Sequence, residues 1–112
     1  MSDPMDLTQS LRQQRILLID CVQAMKDTGR KLAQAEYKYK VSLRQEILRL
    51  HIEDSVAWTS CYTLAQGEDI VSKLRLDRDI KKSDYDVCRE KINACKLEIR
   101  LLEEEIKRDW QG

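Results

Sequence analysis

The chain has 112 residues; 36% of them are charged, 5% are aromatic and phenylalanine is absent. This composition is typical of long helices or coiled coils and argues against a sheet protein with a thick core. The length allows one domain, residues 1–112, and the zero formal net charge provides no overall field to attract DNA or an anionic membrane.

Apolar runs in the sequence are short. None approaches the roughly 18 residues that a membrane span requires. The run from Ile16 to Ile19 is too short for a signal-peptide core. We therefore expect a cytoplasmic protein with no membrane contact.

A first long helix is predicted over about residues 4–50, with Asp3 as its N-cap and Pro4 at the first helical position. Gly29 and Glu36 interrupt its apolar row. Gly29 either breaks the helix or lets another chain segment come close, and the unchanged register on both sides favours a continuous helix. The apolar row consists of Leu11, Leu18, Val22, Met25, Leu32, Tyr39, Leu43, Ile47 and Leu50.

Residues 51–67 lose the helical period and predict a turn that contains a short helix. Thr59 or Ser60 is the expected cap of this helix, which runs through Ala65 and ends at Gly67.

A second long helix is predicted over about residues 68–110, because Gly67 is followed by acidic residues and then by an unbroken helical pattern. Its main apolar row consists of Val71, Leu74, Tyr85, Cys88, Ile92, Cys95, Ile99, Leu102 and Ile106. A second row at intervals of seven consists of Ile80, Val87, Ala94 and Leu101. Together the rows are wider than one neighbouring helix covers, which indicates a protein partner or a homo-oligomer.

The two long helices have nearly equal lengths, which predicts an all-α, coiled-coil-like antiparallel hairpin with the short helix at its turn. A three-helix bundle is the alternative if the first helix breaks near Gly29.

The hairpin also predicts which residues face each other. If the chain folds back about residue 59, residue i lies opposite approximately residue 118 − i. Arg12 and Arg15 then face Glu103 to Glu105. The same register predicts a structural ion-pair group formed by Glu36, Arg78, Lys81 and Lys82.

Catalytic chemistry has little support in the sequence. His51 is the only histidine, and none of the four cysteines forms a C-x-x-C pair. The register brings Cys21 near Cys95, where buried thiols act as small apolar side chains. We expect no enzyme activity, no cofactor and no metal site.

One stretch of the first helix is basic, with Tyr37 and Tyr39 between its cations. Basic residues with interleaved aromatic residues can follow a phosphate backbone and stack on bases. The candidate nucleic-acid residues are Arg30, Lys31, Lys38, Lys40 and Arg44. A solvated helix face is the simpler interpretation.

Several stretches resemble small helical proteins of unassigned function that are encoded by phages and prophages of Gram-positive bacteria. In the first half these are Gly29-Arg30, residues 32–37 (LAQAEY) and residues 46–50 (EILRL). In the second half these are residues 64–67 (LAQG), residues 74–80 (LRLDRDI), Tyr85, residues 97–103 (LEIRLLE) and residues 107–110 (KRDW). The resemblance covers about residues 28–110. It implies a phage accessory protein in the bacterial cytoplasm and carries no catalytic motif.

We therefore predict a phage accessory protein that acts by protein–protein interaction. It would serve phage DNA metabolism or antagonise a host factor such as a nuclease-based defence, in the manner of an anti-CRISPR protein. A nucleic-acid-binding protein and a structural oligomer or scaffold are the alternatives. The candidate partner-binding residues are Trp58, Tyr62, Ile80, Val87 and Leu101.

Overall fold

The computed structural model of the chain describes residues 4–111, and over this range it consists of three α-helices. Helix α1 spans Pro4–Ile52, α2 spans Trp58–Gln66 and α3 spans Asp69–Gln111. Helices α1 and α3 pack as a hairpin, which confirms the predicted all-α fold. The three-helix alternative is wrong, because α1 continues unbroken through Gly29. The predicted N-cap, Asp3, lies outside the described residues, and no helix within residues 4–111 is long and apolar enough to cross a membrane.

The contacts divide the chain into two compact units. Within the described residues, the terminal unit contains residues 4–27 and 86–111, and the turn unit contains residues 28–85. In the terminal unit, the Nη2 atom of Arg15 lies 3.4 Å from Oε1 of Glu103, as the predicted register requires. The buried side chains of this unit are Leu7, Ile92, Cys95 and Leu102. Val22 of the predicted row is 39% exposed, because the neighbouring Cys21 faces Cys95 instead.

The turn unit has its core where α2 packs against the end of α1. Cys61, Ala65 and Val71 are completely buried. Leu50, Cys61 and Ala65 form a buried cluster, against which Leu43, Ile47 and Val56 pack. Small side chains at positions 61 and 65 let α2 lie close to α1, which explains why nine residues suffice for this helix.

Helix α1 is followed by one left-handed residue, Ser55, which has a φ of 57°. The N–H groups of Asp54 and Val56 both donate to the carbonyl oxygen of Leu50, at 3.2 and 3.1 Å, so the chain turns back on the last turn of the helix. Val56 also packs on the buried cluster that contains Leu50. Glycine is the usual residue at the left-handed position, since a Cβ atom is strained there.

The predicted cap of α2 is wrong. Ala57, with extended backbone angles, is the N-cap, and no side chain caps the helix. The N–H groups of Ser60 and Cys61 donate to the Ala57 carbonyl oxygen at 2.9 and 3.2 Å. Helix α2 therefore begins at Trp58, one residue before Thr59. The burial of Cys61 and Ala65 favours this start, although no side chain caps the helix.

The predicted ion-pair group does not form as expected. Among the residues that the structure describes, Glu36 has no salt bridge, although it is half-buried. The guanidinium carbon of Arg78 instead lies 4.8 Å from the centre of the Tyr39 ring, and its Nε atom donates to Asp79 at 2.8 Å. Lys81 pairs with Asp77 on its own helix at 3.6 Å, and no ion pair is formed by Lys82 within residues 4–111. The aromatic ring of Tyr39 therefore takes the place that the charge-pairing prediction gave to a carboxylate.

Candidate partner-binding surface at the turn

Helix α2 presents two aromatic side chains to solvent. Trp58 and Tyr62 are four residues apart, so they are neighbours along one side of the helix. Each is 56% exposed, whereas Cys61 and Ala65 on the adjacent side are completely buried. We call Trp58 and Tyr62 the aromatic pair.

Trp58 is held in place by His51. The two rings are stacked, with centroids 3.6 Å apart and an angle of 19° between their planes. The His51 ring is itself oriented, because Nδ1 lies 2.8 Å from the carbonyl oxygen of Val56. A carbonyl oxygen only accepts, so Nδ1 carries the hydrogen in this contact. Trp58 therefore has one ring face covered by an oriented neighbour and more than half of its surface still open to solvent.

The chain around the aromatic pair is fastened by Arg49. Its guanidinium donates two hydrogen bonds from Nε and one from Nη2 to the Glu46 carboxylate, at 2.8–3.1 Å. It also reaches Asp54 at 3.2 Å and Glu68 at 3.7 Å. The hydrogen bonds to Glu46 raise the pKa of Arg49 above its usual value. One cation thus connects α1, the loop before α2 and the residue before α3, and these contacts hold the loop that leads into Trp58.

Three further candidate partner-binding residues lie on α3. Ile80 belongs to the turn unit and is 50% exposed. Val87 and Leu101 belong to the terminal unit and are 50% and 49% exposed. The main apolar row of α3 is buried or half-buried along its length. The second row is therefore left uncovered.

The nucleic-acid candidates do not gather on one side of α1, although all five are exposed. Lys38 and Lys40 are separated by about 200° around a helix with 3.6 residues per turn, so they point to different sides. Tyr39 is 6% exposed and lies inside the turn unit. Arg30, Tyr37 and Arg44, spaced by seven, share one side, and Lys40 borders it because it lies three residues after Tyr37 and four before Arg44. Tyr37, at 71% exposed, is available for stacking.

Within residues 4–111, no cluster of three or more His, Cys, Asp or Glu side chains is arranged so that it could hold a metal ion. The four cysteines are free thiols. Cys95 is buried, and its burial, followed by the influence of the neighbouring Cys21, raises the pKa of the Cys95 thiol. A raised pKa reduces the fraction of the nucleophilic thiolate at neutral pH.

Sequence reasoning did not find the role of His51. His51 lies in the last turn of α1, and its ring bonds to a carbonyl oxygen that lies beyond the helix. The sequence feature that could have indicated this role is that two aromatic rings, His51 and Trp58, lie shortly before and after the end of α1.

Comparison of the chain with protein-family models, with curated proteins and with solved structures finds no significant match.

Proposed function

We propose that this chain is a non-enzymatic phage accessory protein that binds another protein through the aromatic pair. The process that it serves is phage DNA metabolism or the inhibition of a host factor such as a nuclease-based defence system. The resemblance in residues 28–110 supports the phage assignment. The observation that carries the binding surface is Trp58, which is 56% exposed yet stacked on an oriented His51 ring.

Physical chemistry favours such a residue as a binding anchor. Trp and Tyr are enriched among the few residues that carry most of the energy of protein interfaces. Ordering a free side chain costs about 0.5–1.5 kcal/mol on binding, and a ring that is already stacked avoids part of this cost. A partner that covers Trp58 and Tyr62 therefore gains apolar contact area with little loss of side-chain freedom.

Site-specific photocrosslinking tests this surface. The full chain is expressed in Gram-positive host cells with a photoreactive phenylalanine derivative at position 62, and in a matched control the derivative replaces Tyr37. Both tyrosines are more than half exposed. The proposal expects one dominant protein crosslinked from position 62 and none from position 37. Equal labelling from both positions, or none from position 62 in host cells and in phage-infected cells, contradicts it.

A second candidate function rests on the seven-residue spacing of Arg30, Tyr37 and Arg44. Two cations with an exposed ring between them can hold a nucleic-acid backbone and stack on one base. Binding to single-stranded DNA would then weaken steeply as salt is raised. Replacing Arg30 and Arg44 with Gln would reduce both the affinity and the salt dependence. Replacing Lys38, which is exposed and lies on another side of α1, would have a smaller effect.

A further inference from the structure

The exposed second row of α3 in the terminal unit has a symmetric pattern. Ala94 stands at its centre, and Val87 and Leu101 lie seven residues before and after it. Val87, Ala94 and Leu101 are all exposed. We call these three residues with Lys91 and Glu98 the α3 face. Leu17 of α1, 47% exposed, borders the same open groove as Ala94, Lys91 and Glu98.

Two opposite charges flank the centre of this face. Lys91 and Glu98 are exposed, and among the described residues neither has an ion-pair partner. They are seven residues apart, about 10 Å along a helix, and so they do not pair with each other. The unpaired cation lies on one side of the small residue and the unpaired anion on the other. Two copies of this surface can therefore pair, with the cation of each copy facing the anion of the other.

We infer that the α3 face binds a second copy of this chain, with the two α3 helices antiparallel about a two-fold axis beside Ala94. Such an axis places Val87 opposite Leu101 of the second copy. It also brings Lys91 toward Glu98 of the second copy, and the same contact occurs again on the other side. A two-fold interface requires this kind of self-complementary surface. The inference does not depend on the proposed function, which uses the aromatic pair.

The side chains at the centre suit a close approach of two helices. Interaxial distances of 8–10 Å depend on the side chains at the contact, and Ala94 is small. The larger Val87 and Leu101 then fill the space on both sides of the crossing. A parallel arrangement in register would place Lys91 against its own copy and Glu98 against its own copy. Like charges in contact are unfavourable, so the antiparallel arrangement is preferred.

The overall charge of the chain permits such an interface. The zero formal net charge of the chain means that two copies do not repel each other over long distances.

Sedimentation equilibrium of the full chain under reducing conditions tests the inference. The wild-type chain is expected to show a monomer–dimer equilibrium. Lys91→Glu alone and Glu98→Lys alone should each raise the dissociation constant about tenfold or more, because every charge contact occurs twice in a two-fold dimer. The double variant should return to near the wild-type value. The matched control is Arg100→Glu, an exposed charge reversal on another side of α3, which should leave the constant unchanged.

A second variant tests the position of the axis. Ala94→Glu places a carboxylate next to its own symmetry mate and should abolish the dimer, while circular dichroism shows an unchanged helical signal. A chain that stays monomeric throughout the accessible concentration range overturns the inference. So does a dimer that is insensitive to Lys91→Glu and Glu98→Lys, and so does a double variant that remains as weak as either single variant.

Discussion

Tyr39 of α1 and Gln66 of α2 are joined by hydrogen bonds through the tyrosine hydroxyl. The hydroxyl oxygen lies 2.9 Å from Oε1 of Gln66, to which it donates in one orientation of its hydrogen, and 2.7 Å from Nε2, from which it accepts in the other. The Tyr39 ring, 6% exposed, also lies beneath the Arg78 guanidinium of α3. The Tyr39 side chain thus connects all three helices of the turn unit. It therefore contributes polar contacts to the stability of this unit, in addition to the apolar packing that a residue between two helices normally provides.

Tyr39→Phe is therefore expected to destabilise the chain by about 1 kcal/mol, because the Gln66 amide loses its partner in a partly buried place. Urea denaturation followed by circular dichroism measures this change. Tyr37→Phe is the matched control, since Tyr37 is 71% exposed, and its free energy of unfolding should not change. Equal effects of the two substitutions would show that the Tyr39 hydroxyl makes no net contribution.

Ser55→Gly is expected to stabilise the chain by about 0.5–1 kcal/mol. Ser55 has a φ of 57°, a conformation that glycine adopts without steric strain. Thermal unfolding should show a higher midpoint for the variant. Ser60→Gly is the control, because Ser60 lies inside α2, where glycine weakens a helix by roughly 1 kcal/mol. A lower midpoint for Ser55→Gly would contradict the left-handed conformation of Ser55.

Gly29→Ala is expected to raise stability by up to about 1 kcal/mol, through the higher helix propensity of alanine. The added Cβ atom would lie 3.4 Å from Cε2 of Tyr85, at the close end of ordinary van der Waals contact. Gly29→Val adds a branched side chain at the same place and should be destabilising, since the tyrosine ring leaves no room for it. Urea denaturation of both variants measures the difference. A stabilising effect of Gly29→Val would show that Tyr85 does not pack on Gly29.

Cys95 should react slowly with iodoacetamide at neutral pH and faster as the pH is raised. Burial, followed by the neighbouring Cys21 thiol, raises the pKa of Cys95 in the folded chain. A raised thiol pKa means that the fold favours the neutral form. The contribution of the neutral Cys95 thiol to the stability of the fold is complete below the pKa of the unfolded thiol, about 8.5. It is lost as the pH rises through the pKa of the thiol in the folded chain. Mass spectrometry of peptides taken over time measures the rate, with the urea-unfolded chain as control. Equal rates in the folded and unfolded chains would contradict the burial of this thiol.

The helical hairpin was predictable because long helices follow from spacing alone. The main apolar row of α3 is buried or half-buried throughout. The register followed from equal helix lengths, and Arg15 meets Glu103 as it requires. The pairing of Glu36 with Arg78 failed because counting charges does not reveal that the Tyr39 ring occupies the contact.

The details of the turn were less accessible from sequence. Ser55 gave no signal of a left-handed residue, since glycine is usual there. The start of α2 depends on the burial of Cys61 and Ala65, which is a tertiary effect rather than a local propensity. Trp58 was a predictable anchor as an apolar residue in a turn. Its support by His51 was not, because it depends on a ring orientation set by the Val56 carbonyl oxygen.

The proposed partner-binding role is tested most directly by affinity capture of the tagged full chain from nuclease-treated lysate of Gram-positive host cells, with and without phage infection. Wild type, Trp58→Ala and Trp110→Ala are compared, since Trp110 is also exposed, at 79%, and lies outside the turn unit. The account predicts one dominant protein bound by wild type and by Trp110→Ala and lost with Trp58→Ala. Capture of the same protein by all three chains, or of no protein from either lysate, would contradict it.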